Sequence, residues 1–98
     1  MRIITKKQIE DFSKDYPDAK IALEDWHSKT KQAKWDNFSD VKKTFNSVDS
    51  VGNGRFVFNV KGNSYRLIAL IKFTLKMVYI RLIGTHKEYD KINDCSKE

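Results

Sequence analysis

Apolar and polar positions alternate along the second half of the chain with the two-residue period of β-strands. This alternation predicts three strands, at residues 55–61, 64–73 and 76–84. Two-residue turns at Gly62-Asn63 and Thr74-Leu75 would join them into an antiparallel meander. The first turn would set Asn59 opposite Arg66 on the neighbouring strand.

The first half of the chain has the three- and four-residue spacing of helices. It predicts a short strand at 2–4, helices at about 6–14 and 17–33, a short helix after 39 and a loop at 47–54. Thr5 and Gln8 are typical of a capping box, and Ser39 is the expected N-cap of the third helix. The core stripe of the second helix is expected to be Ala22, Trp26, Thr30 and Ala33.

Strand alternation assigns each side chain of the predicted sheet to one of two faces. One face is almost wholly apolar: Phe56, Phe58, Val60, Tyr65, Leu67, Ala69, Ile71, Val78, Ile80 and Leu82. Such a face must be covered, most simply by the helices of the first half. The predicted fold class is therefore α+β, with a short N-terminal strand and two to three helices packed on one face of an antiparallel sheet.

The opposite face of the sheet combines cations with apolar side chains. Its polar members are Arg55, Asn59, Lys61, Arg66, Lys72 and Arg81, and its apolar members are Val57, Ile68, Leu70, Tyr79 and Ile83. Like charges on neighbouring strands repel, so their convergence favours a bound anion. The alternative is a partly solvated sheet whose charges point to water.

The composition restricts the class of protein. Ninety-eight residues predict one domain, 1–98, and the net charge of +6 favours a polyanionic partner, namely nucleic acid, an acidic protein or an anionic membrane surface. A single cysteine, Cys95, cannot form an internal disulfide, which favours a reducing cytoplasm. The longest apolar run, 67–71, is too short to cross a bilayer, and the first residues do not resemble a signal peptide.

The chain offers little for metal or cofactor chemistry. Its two histidines, His27 and His86, are far apart in sequence, so neither a metal site nor a cofactor is expected. Gly52-Asn53-Gly54 precedes a strand and not a helix, which is not the arrangement of a nucleotide-binding loop.

Cleavage of RNA does not require a metal, because RNA carries its own nucleophile in the 2′-hydroxyl. An enzyme must offset the charge that grows on the phosphate oxygens, and Lys61, Arg66 and Arg81 are candidates for that role. His86 suits proton transfer near neutral pH, with Tyr89 or Lys61 as a second proton donor or acceptor. The alternatives are an inert loop histidine and a tyrosine that only packs on the sheet edge.

Two segments of the second half together carry a family resemblance. Residues 55–67 (RFVFNVKGNSYRL) and 78–92 (VYIRLIGTHKEYDKI), with Lys72 between them, resemble the HigB toxins of type II toxin–antitoxin pairs, within the RelE-like superfamily. The resemblance implies a ribosome-dependent mRNA endonuclease that cuts codons in the A site by 2′-OH attack. It also implies a helix-turn-helix (HigA-like) antitoxin as partner.

The resemblance suggests residue roles. Arg66 matches a phosphate-binding arginine, Lys61 lies on the strand that carries catalytic lysines, and His86 and Tyr89 match positions after the last strand. The expected RNA-binding set is Arg55, Asn59, Lys72, Arg81, Lys87 and Lys91. The alternatives are a non-catalytic basic RNA- or DNA-binding module, and a subunit whose charged face meets an acidic protein partner.

Overall fold

The computed structural model describes residues 1–4, 6–62, 64–85 and 87. The strands are β1 (Arg2–Ile4), β2 (Val48–Gly52), β3 (Arg55–Val60), β4 (Tyr65–Lys72) and β5 (Met77–Thr85). The helices are α1 (Lys7–Asp15), α2 (Lys20–Gln32) and α3 (Phe38–Thr44), with a 3₁₀ turn at Pro17–Ala19. The strands form one sheet in the order β1-β5-β4-β3-β2, in which only the β1–β5 pair is parallel. The predicted α+β class is confirmed.

The predicted antiparallel meander is confirmed, with the predicted registers next to both turns. Asn59 pairs with Arg66 and Val60 with Tyr65, as a two-residue turn after Lys61 requires, although Asn63 lies outside the described residues. Gly62 adopts a φ of 63°, a left-handed conformation that costs glycine little. The Lys76 amide donates to the Phe73 carbonyl at 3.2 Å and closes the turn at 74–75.

Two predictions about the sheet were wrong. The loop expected at 47–54 contains β2, which pairs with β3 and has its own irregularity between Ser50 and Gly52. Second, a β-bulge shifts the register at Arg81, because Ala69 pairs with Ile80 while Ile68 pairs with Leu82. The extra residue reverses the alternation beyond it. Ile83 therefore joins the helix-covered core in place of Leu82.

The helices occupy nearly their predicted ranges, but two caps differ. Asn37, not Ser39, is the N-cap of α3, and its side-chain oxygen accepts a hydrogen bond from the Asp40 amide at 3.0 Å. The N-cap of α1 is Lys6, without a side-chain hydrogen bond. Gln8 donates instead to the Ile80 carbonyl at 2.7 Å, which ties α1 to β5.

The helices cover one face of the sheet and enclose the main core. Trp26 of α2 lies edge-on to Phe58 at 5.4 Å between ring centroids, and Phe58 meets Phe45 in the same manner at 5.4 Å. Leu23, which the predicted stripe of α2 omitted, is fully buried beside Trp26 on this helix. Among the described residues, no helix is long and apolar enough to cross a membrane.

Candidate functional site

Arg66 lies at the centre of a cross-strand row near one end of the sheet. It pairs with Asn59 on β3 and with Gly84 on β5, so the three residues cross three neighbouring strands. Neighbouring strands lie about 4.8 Å apart, which keeps Asn59 and Arg66 within contact of one small ligand. Both residues are half-buried, and Gly84 presents no side chain beside the guanidinium.

The next row toward the sheet edge leads to two of the predicted catalytic positions. Val60, Tyr65 and Thr85 form this row. Lys61 follows Val60 in the chain, and His86 follows Thr85. His86 itself, like Tyr89 and Lys91, lies outside the described residues. Arg66 thus belongs to one row, and Lys61 directly follows a residue of the adjacent row.

Asp18 connects Lys61 to the helical layer. The carboxylate lies on the 3₁₀ turn between α1 and α2, where Oδ2 accepts a hydrogen bond from Lys61 Nζ at 2.8 Å. Its other oxygen accepts a hydrogen bond from the Tyr65 hydroxyl at 2.7 Å. The ring of Tyr65 is buried against Phe12 and Tyr16, so only its hydroxyl reaches this polar cluster.

The hydrogen bonds of Asp18 shift the pKa values of Asp18 and Tyr65 away from neutral pH. The hydrogen bond from Lys61, followed by that from Tyr65, lowers the pKa of Asp18 below its ordinary value of 3.8. The same bond to Asp18 raises the pKa of Tyr65 to about 12. Asp18 is therefore ionised and Tyr65 neutral at physiological pH, and Tyr65 is unsuited to proton transfer there.

A small cavity adjoins Lys61 on the helical side. It has a volume of about 130 Å³ and is lined by Ala22, Asp25, Trp26, Phe45, Asn59, Val60 and Lys61. Asn59 also donates from Nδ2 to the Ser47 hydroxyl, which fixes the orientation of its amide. The edge beside Lys61 is thus a shaped polar surface and not a flat sheet end.

The remaining predicted RNA-binding residues are spread along the sheet. Arg55 pairs with Leu70, four positions along β4 from Arg66, or roughly 13 Å at strand spacing. Lys72 is exposed and lies six positions from Arg66, roughly 20 Å. Arg81 is exposed at the bulge between these ends, and Lys87 is exposed after β5. The structure therefore pairs Asn59 with Arg66, whereas the side chain of Lys61 reaches Asp18 in the helical layer. Arg55 and Lys72 lie further along the strands.

Asp18 is the residue of this site that sequence reasoning did not assign. It is 43 positions from Lys61 in the chain, and no local periodicity relates a 3₁₀ turn to a distant hairpin. The available signal was a carboxylate next to Pro17 in a strongly basic chain. Within the described part of the chain, no three His, Cys, Asp or Glu side chains gather as metal ligands.

The comparison with protein families assigns this small basic domain to a class of toxins. Residues 19–92 match the HigB toxin family, described as the RelE-like toxic component of a toxin–antitoxin system. This match covers most of the chain, and the protein belongs to that family. The resemblance seen in the sequence is confirmed, and with it an antitoxin as the class of partner.

Curated relatives agree over nearly the full length. The chain is 34% identical over 92 residues to the mRNA interferase toxin HigB of Escherichia coli (strain K12), covering 92% of this chain and 88% of the relative. An mRNA interferase HigB of Shigella flexneri matches to the same extent. The mRNA interferase HigB of Escherichia coli O6:H1 is 30% identical over 100 residues, covering 100% of this chain and 97% of the relative.

Proposed function

We propose that this protein is an mRNA interferase, a one-domain RNA endonuclease that cleaves messenger RNA on translating ribosomes and so inhibits translation. The observation that carries the proposal is family membership through residues 19–92, together with relatives named mRNA interferase that align with nearly the whole chain. The pairing of Asn59 with Arg66, next to the hairpin that carries Lys61, also supports it.

The proposed reaction uses the nucleophile of the substrate. The 2′-oxygen attacks the adjacent phosphorus while its proton passes to a base. The bond to the 5′-oxygen then breaks, and an acid protonates that oxygen, leaving a 2′,3′-cyclic phosphate and a 5′-hydroxyl. The negative charge on the non-bridging oxygens grows during the attack, and fixed donors that meet it lower the barrier.

The residues divide these tasks by their chemistry. Arg66 offers a planar set of donors that suits two phosphate oxygens, and it lies between Asn59 and the side-chain-free Gly84. Lys61 supplies a second positive charge from the hairpin edge. His86 and Tyr89 are the proposed proton-transfer pair, which accords with the unsuitability of Tyr65 for that role. Arg55, Lys72, Arg81, Lys87 and Lys91 are the proposed contacts to flanking RNA.

The ribosome and the antitoxin complete the proposal. The proposed substrate is a codon presented in the A site, which orients the 2′-hydroxyl for in-line attack. Because the proposed target is the translating ribosome, the proposed place of action is the cytoplasm. The proposed neutralising partner is a helix-turn-helix antitoxin of the HigA type.

One experiment separates the nuclease from a basic binding module. Purified protein is added to programmed ribosomes that carry a message with a single 2′-deoxy nucleotide in the A-site codon, or the matched all-ribose message. We expect cleavage only of the all-ribose message, with a 2′,3′-cyclic phosphate end. RNA binding without any cut in either message would contradict the proposal and favour the non-catalytic module.

A further inference from the structure

A second polar cavity lies between β1 and α2, on the helical side of the sheet. It has a volume of about 520 Å³ and is lined by Met1, Arg2, Ile3, Lys6, His27 and Lys31. Three of these residues belong to β1 or directly precede it, and two come from successive turns of α2. Among the described residues of this lining, every ionisable side chain is basic and none is a carboxylate.

The side-chain charges around this cavity are not paired with any carboxylate that the structure describes. Within the described ranges, Arg2, Lys6, His27 and Lys31 form no ion pair. The contrast lies on the same helix, where Lys29 contacts Asp25 at 2.9 Å on the solvated side. The basic side chains of the cavity therefore repel one another, whereas Lys29 is neutralised by Asp25 on the same helix.

The lowered pKa of His27 is consistent with repulsion between these charges. Its ring is half-buried, and its pKa is lowered first by burial and then by the charges of Lys6 and Lys31. Arg2 also lines the cavity that His27 faces. An anion in the cavity would offset all of these charges at once, and it would favour the protonated form of His27.

The cavity is remote from the candidate catalytic edge. Arg2 pairs with Met77 at the start of β5, whereas Gly84 of the Arg66 row lies seven positions further along the same strand. Seven strand positions span roughly 23 Å. A phosphate bound here is therefore not the scissile phosphate of the proposed reaction.

We propose that the cavity between β1 and α2 is a phosphate-binding site that holds a backbone phosphate of RNA. The ligand class follows from the lining, because one guanidinium and two ammonium groups offer donors and positive charge to an anion, and the His27 imidazole adds a further donor. The same chemistry accepts a free phosphate or a mononucleotide, so these are separate arms of the test.

The test follows the His27 ring by NMR in the full chain, with the resonance assigned by His27→Gln. The pKa of His27 is measured alone, with inorganic phosphate, with a mononucleotide and with a short 2′-deoxy oligonucleotide that cannot be cut. We expect the oligonucleotide to raise the pKa by about 1, the lower end of what an opposite charge within about 4–6 Å produces. An equal rise at low concentrations of phosphate or mononucleotide assigns the site to the free ligand and overturns the RNA assignment.

Matched variants separate the cavity from the general charge of the protein. Lys6→Ala/Lys31→Ala removes two positive charges from the lining, and Lys29→Ala/Lys43→Ala removes two from exposed sites elsewhere. We expect only the first pair to abolish the rise in the His27 pKa and to reduce the salt slope of oligonucleotide affinity by about 1. Circular dichroism verifies that both variants fold.

Two results would overturn the site altogether. One is a His27 pKa that none of the three ligands changes, and the other is an equal loss of affinity in both double variants. Neither result depends on cleavage, because the oligonucleotide cannot react. A negative result for this site therefore would not contradict the proposed nuclease activity, which is tested separately.

Discussion

Asp18 and Lys61 are 43 positions apart in the chain, yet the Oδ2 and Nζ atoms of their side chains lie 2.8 Å apart. This contact joins the turn between the first two long helices to the hairpin between β3 and β4. The second oxygen of Asp18 holds the hydroxyl of Tyr65, the residue immediately before Arg66. One carboxylate thus orients the proposed catalytic lysine and is anchored to the strand that carries the proposed phosphate-binding arginine.

Replacing Asp18 by asparagine tests this positioning role. Asp18→Asn keeps an oxygen for one hydrogen bond but loses the charge that holds Lys61. We expect RNA affinity to be retained or slightly increased, while the rate of cleavage on ribosomes falls by roughly 10- to 100-fold through misplacement of Lys61. The control is Asp11→Asn, the same change at an exposed position of α1. Equal rates for the two variants would refute a positioning role for Asp18.

The Asp18 contacts also predict how stability depends on pH. Because the folded-state pKa of Asp18 is lowered, its contribution is present above the ordinary value of 3.8 and is lost as the pH falls through the folded value. Because the pKa of Tyr65 is raised to about 12, its contribution is present below 10 and is lost as the pH rises toward 12. Urea unfolding from pH 2 to 7 should show the acid loss, and Asp18→Ala should flatten it.

Arg66 and Lys72 provide a matched comparison along β4. Both are cationic, but Arg66 lies in the row beside Lys61 and Lys72 lies at the other end of the strand. We expect Arg66→Ala to reduce cleavage by about 10²- to 10³-fold, the usual cost of removing one donor to a developing oxyanion. Lys72→Ala should instead weaken RNA binding modestly and leave the cleavage rate of bound message unchanged. Similar cleavage defects in both would favour a diffuse binding surface.

Leu23 and Ile21 test the packing of α2. Leu23 is 0% exposed and Ile21 is 82% exposed, although both are large aliphatic residues on one helix. We expect Leu23→Ala to lower the free energy of unfolding by about 2–5 kcal/mol through the cavity that it leaves. Ile21→Ala should change it by less than about 0.5 kcal/mol. Chemical denaturation of the two variants under identical conditions measures the difference.

Asn37 and Ser39 test the beginning of α3. Only Asn37 accepts the capping hydrogen bond from the Asp40 amide, whereas Ser39 lies inside the helix and is exposed. We expect Asn37→Ala to lower the free energy of unfolding by about 1 kcal/mol, the usual cost of losing an N-cap. Ser39→Ala should be neutral or slightly stabilising, because alanine favours helix interiors. A larger loss of stability in Ser39→Ala than in Asn37→Ala would contradict this assignment and favour Ser39 as the N-cap.

The sequence by itself determined the class of fold, the three main strands and both of their turns. Side chains alternate at fixed spacing along a strand, so short-range pattern and turn chemistry suffice to give Asn59 opposite Arg66. The family resemblance was equally readable, because it rests on contiguous segments of the second half.

The tertiary structure alone decided the features that depend on distant residues. The bulge at Arg81 moves Ile83 into the core, and β2 forms where a loop was expected because β3 supplies its hydrogen-bonding partner. The contacts of Asp18 with Lys61 and Tyr65 likewise need the helical turn to pack over the sheet edge. Local periodicity does not predict such contacts, because they form only when folding packs separate elements together and buries the surface between them.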